Sequence, residues 1–172
     1  MNKIIKPKAF LLLTVILAVV QIIYAYPRLP QKVAIHFSAA GVADSYSSKI
    51  TASFGELMII SSLSILFYLL SKYIHKVPKS FINLPYKNYW LSSEKKTESY
   101  KIISNTLLQI CSFTNLLLIA VFQLVINANT TGSLKLSINP LWLMVVYLFF
   151  VTINIIKLLK FFGNPANRKT DK

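Results

Sequence analysis

The sequence predicts an all-α membrane protein. It is expected to be an antiparallel four-transmembrane-helix bundle with both termini in the cytoplasm and a structured outer loop between the first and second helices. Three observations predict this. Apolar residues make up 55% of the 172 residues, with a mean hydropathy of +0.56, against about 45–50% in soluble domains. The excess is gathered into four stretches, each near the roughly 20 residues of helix that cross a bilayer. Basic residues crowd into alternate connections between those stretches, as the orientation rule for short loops requires. The length allows one domain, 1–172.

The first span covers about residues 9–26, from Ala9 to Tyr26, and Pro27 and Pro30 stop it. A signal peptide is the competing reading, since a basic start and an apolar run lead to Ile23-Tyr24-Ala25. That run exceeds the 7–15 residues roughly typical of such segments, and Ile and Tyr fit the cleavage pattern poorly, so a retained helix is favoured.

The connection that follows has its own order. Val33, Ile35 and Phe37 alternate with Ala34, His36 and Ser38, the period-2 pattern of a short strand. Gly41 and Asp44-Ser45 suggest turns. Ser53-Phe54-Gly55-Glu56 reads as a capping box that opens the second span, residues 56–74, and gives Glu56 a purely structural duty.

Between the second and third spans, Asn83-Leu84-Pro85-Tyr86-Lys87-Asn88-Tyr89-Trp90-Leu91 mixes aromatics with lysine, which suits the headgroup layer. From Ser93 the residues favour helix, which is expected to run on into the third span, 102–126. The fourth span covers 141–159.

Lys3, Lys6 and Lys8, then Lys72, Lys76, Lys79, Lys87, Lys95, Lys96 and Lys101, then Lys157, Lys160, Arg168, Lys169 and Lys172 fall on one side. Only Arg28, Lys32, Lys49 and Lys135 fall on the other. The larger group marks the cytoplasmic face. A net charge of +14 in a soluble chain would suggest nucleic acid. Here the charges lie between apolar runs, so the expected partner is the bilayer with its anionic cytoplasmic lipids, and no nucleic acid.

Polar residues fall on stripes within the spans. Asn105, Gln109, Ser112, Gln123 and Asn127 share one face of the third helix at 100° per residue. Thr14, Ala18, Gln21 and Ala25 share a face of the first, and Ser61, Ser64, Tyr68 and Ser71 a flank of the second. Tyr147 and Asn154 fall together on the fourth. Such stripes favour close helix approach and interhelical hydrogen bonds. The sequence shows no acidic or basic residue at mid-membrane depth, which weighs against an ion-coupled transporter.

Enzymatic chemistry finds no support. The single cysteine, Cys111, excludes an internal disulfide and a thiolate cluster. His36 and Asp44 lack the further ligands a metal needs. No nucleophile is paired with a base, and the chain has only four glycines, none in a phosphate loop. Neither cofactor nor metal is expected.

Two stretches carry a family likeness. The first is Tyr26-Pro27-x-Leu29-Pro30-x-x-Val33-Ala34-x-His36-Phe37, followed by Gly41, Asp44 and Ser48-Lys49; the second is Asn83-x-Pro85-x-Lys87-x-Tyr89-Trp90-Leu91. Together, over about residues 9–100, they resemble an uncharacterised bacterial membrane family catalogued as a domain of unknown function. That domain also forms the N-terminal part of immunity proteins against a secreted sporulation-delaying toxin. Ala34, Ala43 and Tyr46 stand where the family commonly has proline, proline and tryptophan, and the immunity proteins continue into a further membrane domain.

The resemblance implies a receptor-like or immunity-like protein of the cell membrane. Its candidate outer recognition residues are Pro30, His36, Phe37, Gly41, Asp44 and Lys49, facing an extracytoplasmic peptide or envelope component. Its candidate inner motif is Asn83, Pro85, Lys87, Tyr89 and Trp90, holding the membrane or a cytoplasmic partner. An accessory subunit of a membrane transport or envelope complex is the alternative, and a small oligomeric transporter the third reading.

Overall fold

The computed structural model describes residues 6–165. Lys3, Arg168, Lys169 and Lys172 lie outside the described residues. The chain runs α1 (Pro7–Ala25), β1 (Lys32–Phe37), β2 (Ala43–Ser48), α2 (Lys49–Tyr73), α3 (Lys87–Trp90), α4 (Lys96–Thr130) and α5 (Pro140–Phe161). Four of these helices, α1, α2, α4 and α5, are long and apolar enough to cross a membrane.

Helix α1 opens with Pro7 in its first turn, where no amide partner is lost. It buries Leu11, Thr14, Ala18, Ile22 and Ala25, which includes three of the four small and polar residues of its expected face. The helix gives way to a 3-10 turn, Tyr26–Arg28, at Pro27. Helix α4 extends through 35 residues, about 52 Å at 1.5 Å per residue. That exceeds the roughly 30 Å of bilayer hydrocarbon, so its lysine-bearing first turns belong outside the apolar layer. The helix does continue from the polar segment into the third span, but it begins at Lys96, and residues 93–95, expected to favour helix, form a turn.

Helices α1, α2 and α4 form the core. α1 and α4 run parallel: Thr14 meets Asn115, and Gln21 meets Gln123. α2 runs against both, with Ser64 at Asn115 and Ser71 at Ser104. Helix α5 lies antiparallel on α4, where the Phe113 and Phe150 rings stack at 5.1 Å and Thr114 meets the Tyr147 hydroxyl at 3.2 Å. No side chain of α5 is buried. The expected four-helix bundle is therefore better described as a three-helix core with α5 laid along one flank. The physical reason is composition: α5 has no stripe of small residues to let it sink between other helices.

Two further corrections concern the connection between α1 and α2. The second span begins at Lys49, not Glu56. Ser48 caps it, its hydroxyl accepting from Thr51 N–H at 3.0 Å, so strand β2 passes straight into helix. Ser53 and Glu56 thus sit inside α2 rather than forming a capping box, and Glu56 is an acidic residue within a spanning helix. Asp44-Ser45, expected as a turn, lies within β2.

The strand expected around Val33–Phe37 is present and pairs antiparallel with β2. Its alternation fails at Ile35, which is exposed, while Val33 and Ala34 are both fully buried. Register shifts between Ala34 and His36 and between His36 and Phe37 break the pleat there.

Candidate functional site

The hairpin sits at one end of the helix core and is gripped along both strands. Along β1, Asn129 of α4 pairs with the backbone of Ala34: its Oδ1 accepts from Ala34 N–H at 2.8 Å and its Nδ2 donates to Ala34 C=O at 3.0 Å. The same Nδ2 donates to Val125 C=O at 2.8 Å. Along β2, the connection 131–139 acts as a third partner. Ala43 N–H donates to Leu134 C=O, and Leu136 N–H to Gly41 C=O, both at 2.9 Å. Gly41 has φ +75°, in the left-handed region that only glycine enters without strain. It lets the chain reverse so that Gly41 N–H reaches Ser38 C=O at 2.8 Å.

Beneath the turn lies a groove of about 600 Å³ between the hairpin, α4 and the start of α5. Its walls include Phe37, Gly41, Leu117, Val121, Leu136 and Met144. Ser38 and Asn139 add polar groups at its edge. A volume of that size suits one or two bulky apolar side chains or a similar apolar group.

The six residues marked on this connection separate into two sets. Phe37 and Gly41 line the groove. His36 and Asp44 form an exposed pair across the hairpin, Nδ1 to Oδ1 at 2.5 Å, with the side chains 70% and 45% accessible. Lys49 places its ammonium 4.5 Å from the Tyr26 ring centre and donates its backbone N–H to Gln31 C=O at 3.0 Å. Pro30 is exposed at the approach to β1.

At the opposite end, Asn83, Pro85 and Tyr89 are exposed and Lys87 is half-buried. Trp90 is only 2% accessible. Its Nε1 donates to the carbonyls of Phe162 at 3.1 Å and Gly163 at 3.3 Å. Its carbonyl accepts from the Ser99 hydroxyl at 2.7 Å. The indole therefore ties the α2–α4 connection to the end of α5 and offers no free surface to another molecule.

The marked residues of α4 do not make a single packing seam. Ser112 is buried but bonds its own helix at Leu108 C=O. Asn105 and Gln109 are half-buried, and Gln123 and Asn127 are exposed. Gln123 accepts from Gln21 Nε2 at 3.0 Å and donates to Asn127 at 2.9 Å.

The central polar residue is instead Asn115, fully buried. Its Nδ2 donates to Thr14 Oγ1 at 3.0 Å and Ser64 Oγ at 2.9 Å, so that one amide joins three helices. Sequence reading missed Asn115 and Asn129. Asn115 lies off the stripe that the other polar residues define, and Asn129 lies beyond the expected end of the span. Among the described residues, no group of three or more His, Cys, Asp or Glu side chains is placed to hold a metal.

Four spanning helices and a hairpin mounted on one end define a multi-pass membrane protein. Residues 12–60 match the family model described as a domain of unknown function (DUF1648). That match takes in most of α1, the hairpin and the first half of α2, less than a third of the chain. The stretch from Asn83 to Leu91 lies outside it. No curated protein and no solved structure matches the chain.

Proposed function

We propose that this protein is a receptor-like or immunity-like protein of the cell membrane, in which the hairpin end contacts an extracytoplasmic peptide or envelope component. The observation that carries the reading is the mounting of the hairpin. A strand pair fixed on one side by Asn129 and on the other by residues 134–136 holds the exposed His36 and Asp44 beside an apolar groove. A rigid mount of this kind suits recognition, because little ordering is needed when a partner binds. The reading assigns no enzymatic activity and no cofactor.

The orientation we infer has the hairpin outside and the Trp90 end in the cytoplasm. The excess of Lys and Arg in the α2–α4 connection and at the termini supports it. The same lysines would attract anionic lipid at about 1 kcal/mol each. A second reading, an accessory subunit of a larger membrane complex, draws support from α5, whose bare flank leaves room for a neighbouring helix.

The test is survival of a deletion strain in medium conditioned by its wild-type sibling, with the gene restored as control. Killing that the wild-type gene prevents and the His36→Ala gene does not would support immunity through the hairpin. Equal survival of all strains would remove immunity to self-made toxins, and a stable stoichiometric complex on blue-native gels would then favour the subunit reading.

A further inference from the structure

The groove under the hairpin turn lies at the depth of the bilayer hydrocarbon. Across the parallel α1 and α4, Asn115 meets Thr14 and Gln123 meets Gln21. Leu117 therefore stands level with Ile16, at the middle of the 19-residue α1. From Ile16 to its end at Ala25, α1 rises about 14 Å, close to half of the roughly 30 Å of hydrocarbon. Leu117 and Val121 wall the groove from α4, Met144 walls it from α5, and Phe37 and Gly41 close it at the hairpin. The groove thus occupies one leaflet, the one on the hairpin side. It is open along α5, where Leu141 and Met144 are 67% and 43% accessible.

Its polarity changes along its length. The polar side chains, Ser38 and Asn139, stand at the hairpin end, and the deeper walls are apolar. Asn139 Oδ1 caps α5 by accepting from Leu141 N–H at 3.0 Å, and Ser38 Oγ accepts from Val42 N–H at 3.3 Å. Both oxygens are engaged, while the Asn139 amide hydrogens and the Ser38 hydroxyl hydrogen are left to donate. The ester and phosphate oxygens of a diacyl glycerophospholipid only accept hydrogen bonds, and they lie at this same boundary of the apolar layer. A peptide would bring N–H groups as well, and these would meet oxygens already in use. Apolar pockets of this kind stay dry, and the medium that surrounds this one is acyl chain. The volume of about 600 Å³ falls within the roughly 300–1,000 Å³ of pockets that hold small ligands.

We propose that this groove binds one acyl chain of a glycerophospholipid from the leaflet on the hairpin side, with its ester region held by Ser38 and Asn139. The chain packs between the hairpin turn and α5, a helix that buries no side chain within the protein. The lipid is then a structural ligand of the hairpin, distinct from any partner that meets His36 and Asp44.

The test starts with native mass spectrometry of the full chain purified in mild detergent. One diacyl phospholipid should stay on each chain after the remaining lipid has been washed away. Once stripped of it, wild type should gain about 3 °C or more in melting temperature on adding dioleoyl-phosphatidylglycerol, saturating near one equivalent. The dibutanoyl form, with the same headgroup on short chains, should give no shift. Val121→Trp and Met144→Trp fill the groove from α4 and α5, and each should need about tenfold more dioleoyl lipid for the same shift. Asn139→Asp keeps the oxygen that caps α5 and loses the amide donors. It should hold the fold and also bind the lipid more weakly, a readout that stands even if the tryptophan variants fail to fold. The proposal is overturned if wild type carries no stoichiometric lipid, if the two chain lengths act alike, or if every variant that folds binds lipid as wild type does. A second protein chain or a peptide found on the protein in place of the lipid overturns it as well.

Discussion

Asn129, in the last turn of α4, bonds both the N–H and the C=O of Ala34 in β1. One carboxamide thus stands in for a neighbouring strand, presenting a donor and an acceptor to a backbone edge that is fully buried. The hairpin would otherwise leave two buried backbone polar groups without these partners. The single pairing couples the long helix to the segment that we propose makes contact outside the membrane.

Replacement of Asn129 by alanine should therefore loosen the hairpin more than the helices. Each orphaned backbone group costs about 1–3 kcal/mol when buried. The expected result is faster amide exchange at Val33 and Ala34 in Asn129→Ala, with exchange in the middle of α2 and α4 close to wild type. Uniform exchange across the chain would mean that the hairpin draws its order from elsewhere.

Trp90 should behave as a structural residue. Trp90→Ala removes a buried ring and two hydrogen bonds to the end of α5, and cavity costs for such a change are about 3–5 kcal/mol. Trp90→Phe keeps most of the ring contacts with Phe161 and Phe162 and loses only the donor, at about 1 kcal/mol. Because α5 buries no side chain of its own, the alanine variant should expose the region near Gly163 to protease well before the rest of the chain. Equal protease resistance of the two variants would show that the packing of α5 on α4 suffices.

The Asn115 contacts should be real but modest. Hydrogen bonds between membrane helices average about 0.6 kcal/mol and reach about 1.7. A double-mutant cycle of Asn115→Ala and Ser64→Ala should give a coupling in that range. A coupling near zero would mean that the amide takes other partners when Ser64 is gone.

The sequence makes the spans legible because a bilayer sets a length and a composition that few other structures share. The inward face of α1 is equally legible, since Thr14, Ala18 and Ala25 are small enough to mark where helices approach. The start of α2 is not. Ser48 and Ser53 both precede a plausible helix, and nothing local shows that β2 would pass directly into α2 and carry Glu56 into the spanning region. Nor could periodicity find the face of Ile35, because the register shifts in β1 answer to the pairing with β2 and to Asn129, far away in the chain. Trp90 reads as a headgroup aromatic in sequence, and only the return of α5 to its side encloses it.

His36 offers a way to separate recognition from folding. Its pair with Asp44 is close but open to solvent on both sides, and exposed pairs of this kind contribute about 0–1 kcal/mol. His36→Ala should therefore lower the melting temperature by no more than about 4 °C and leave the level of protein in the membrane unchanged. Asp44→Asn should do the same. A variant that is stable and abundant yet unable to protect its host would assign the loss to contact at the hairpin. If instead His36→Ala melts far below wild type, the pair belongs to the scaffold, and the recognition surface must be sought in the groove beside Phe37 and Gly41.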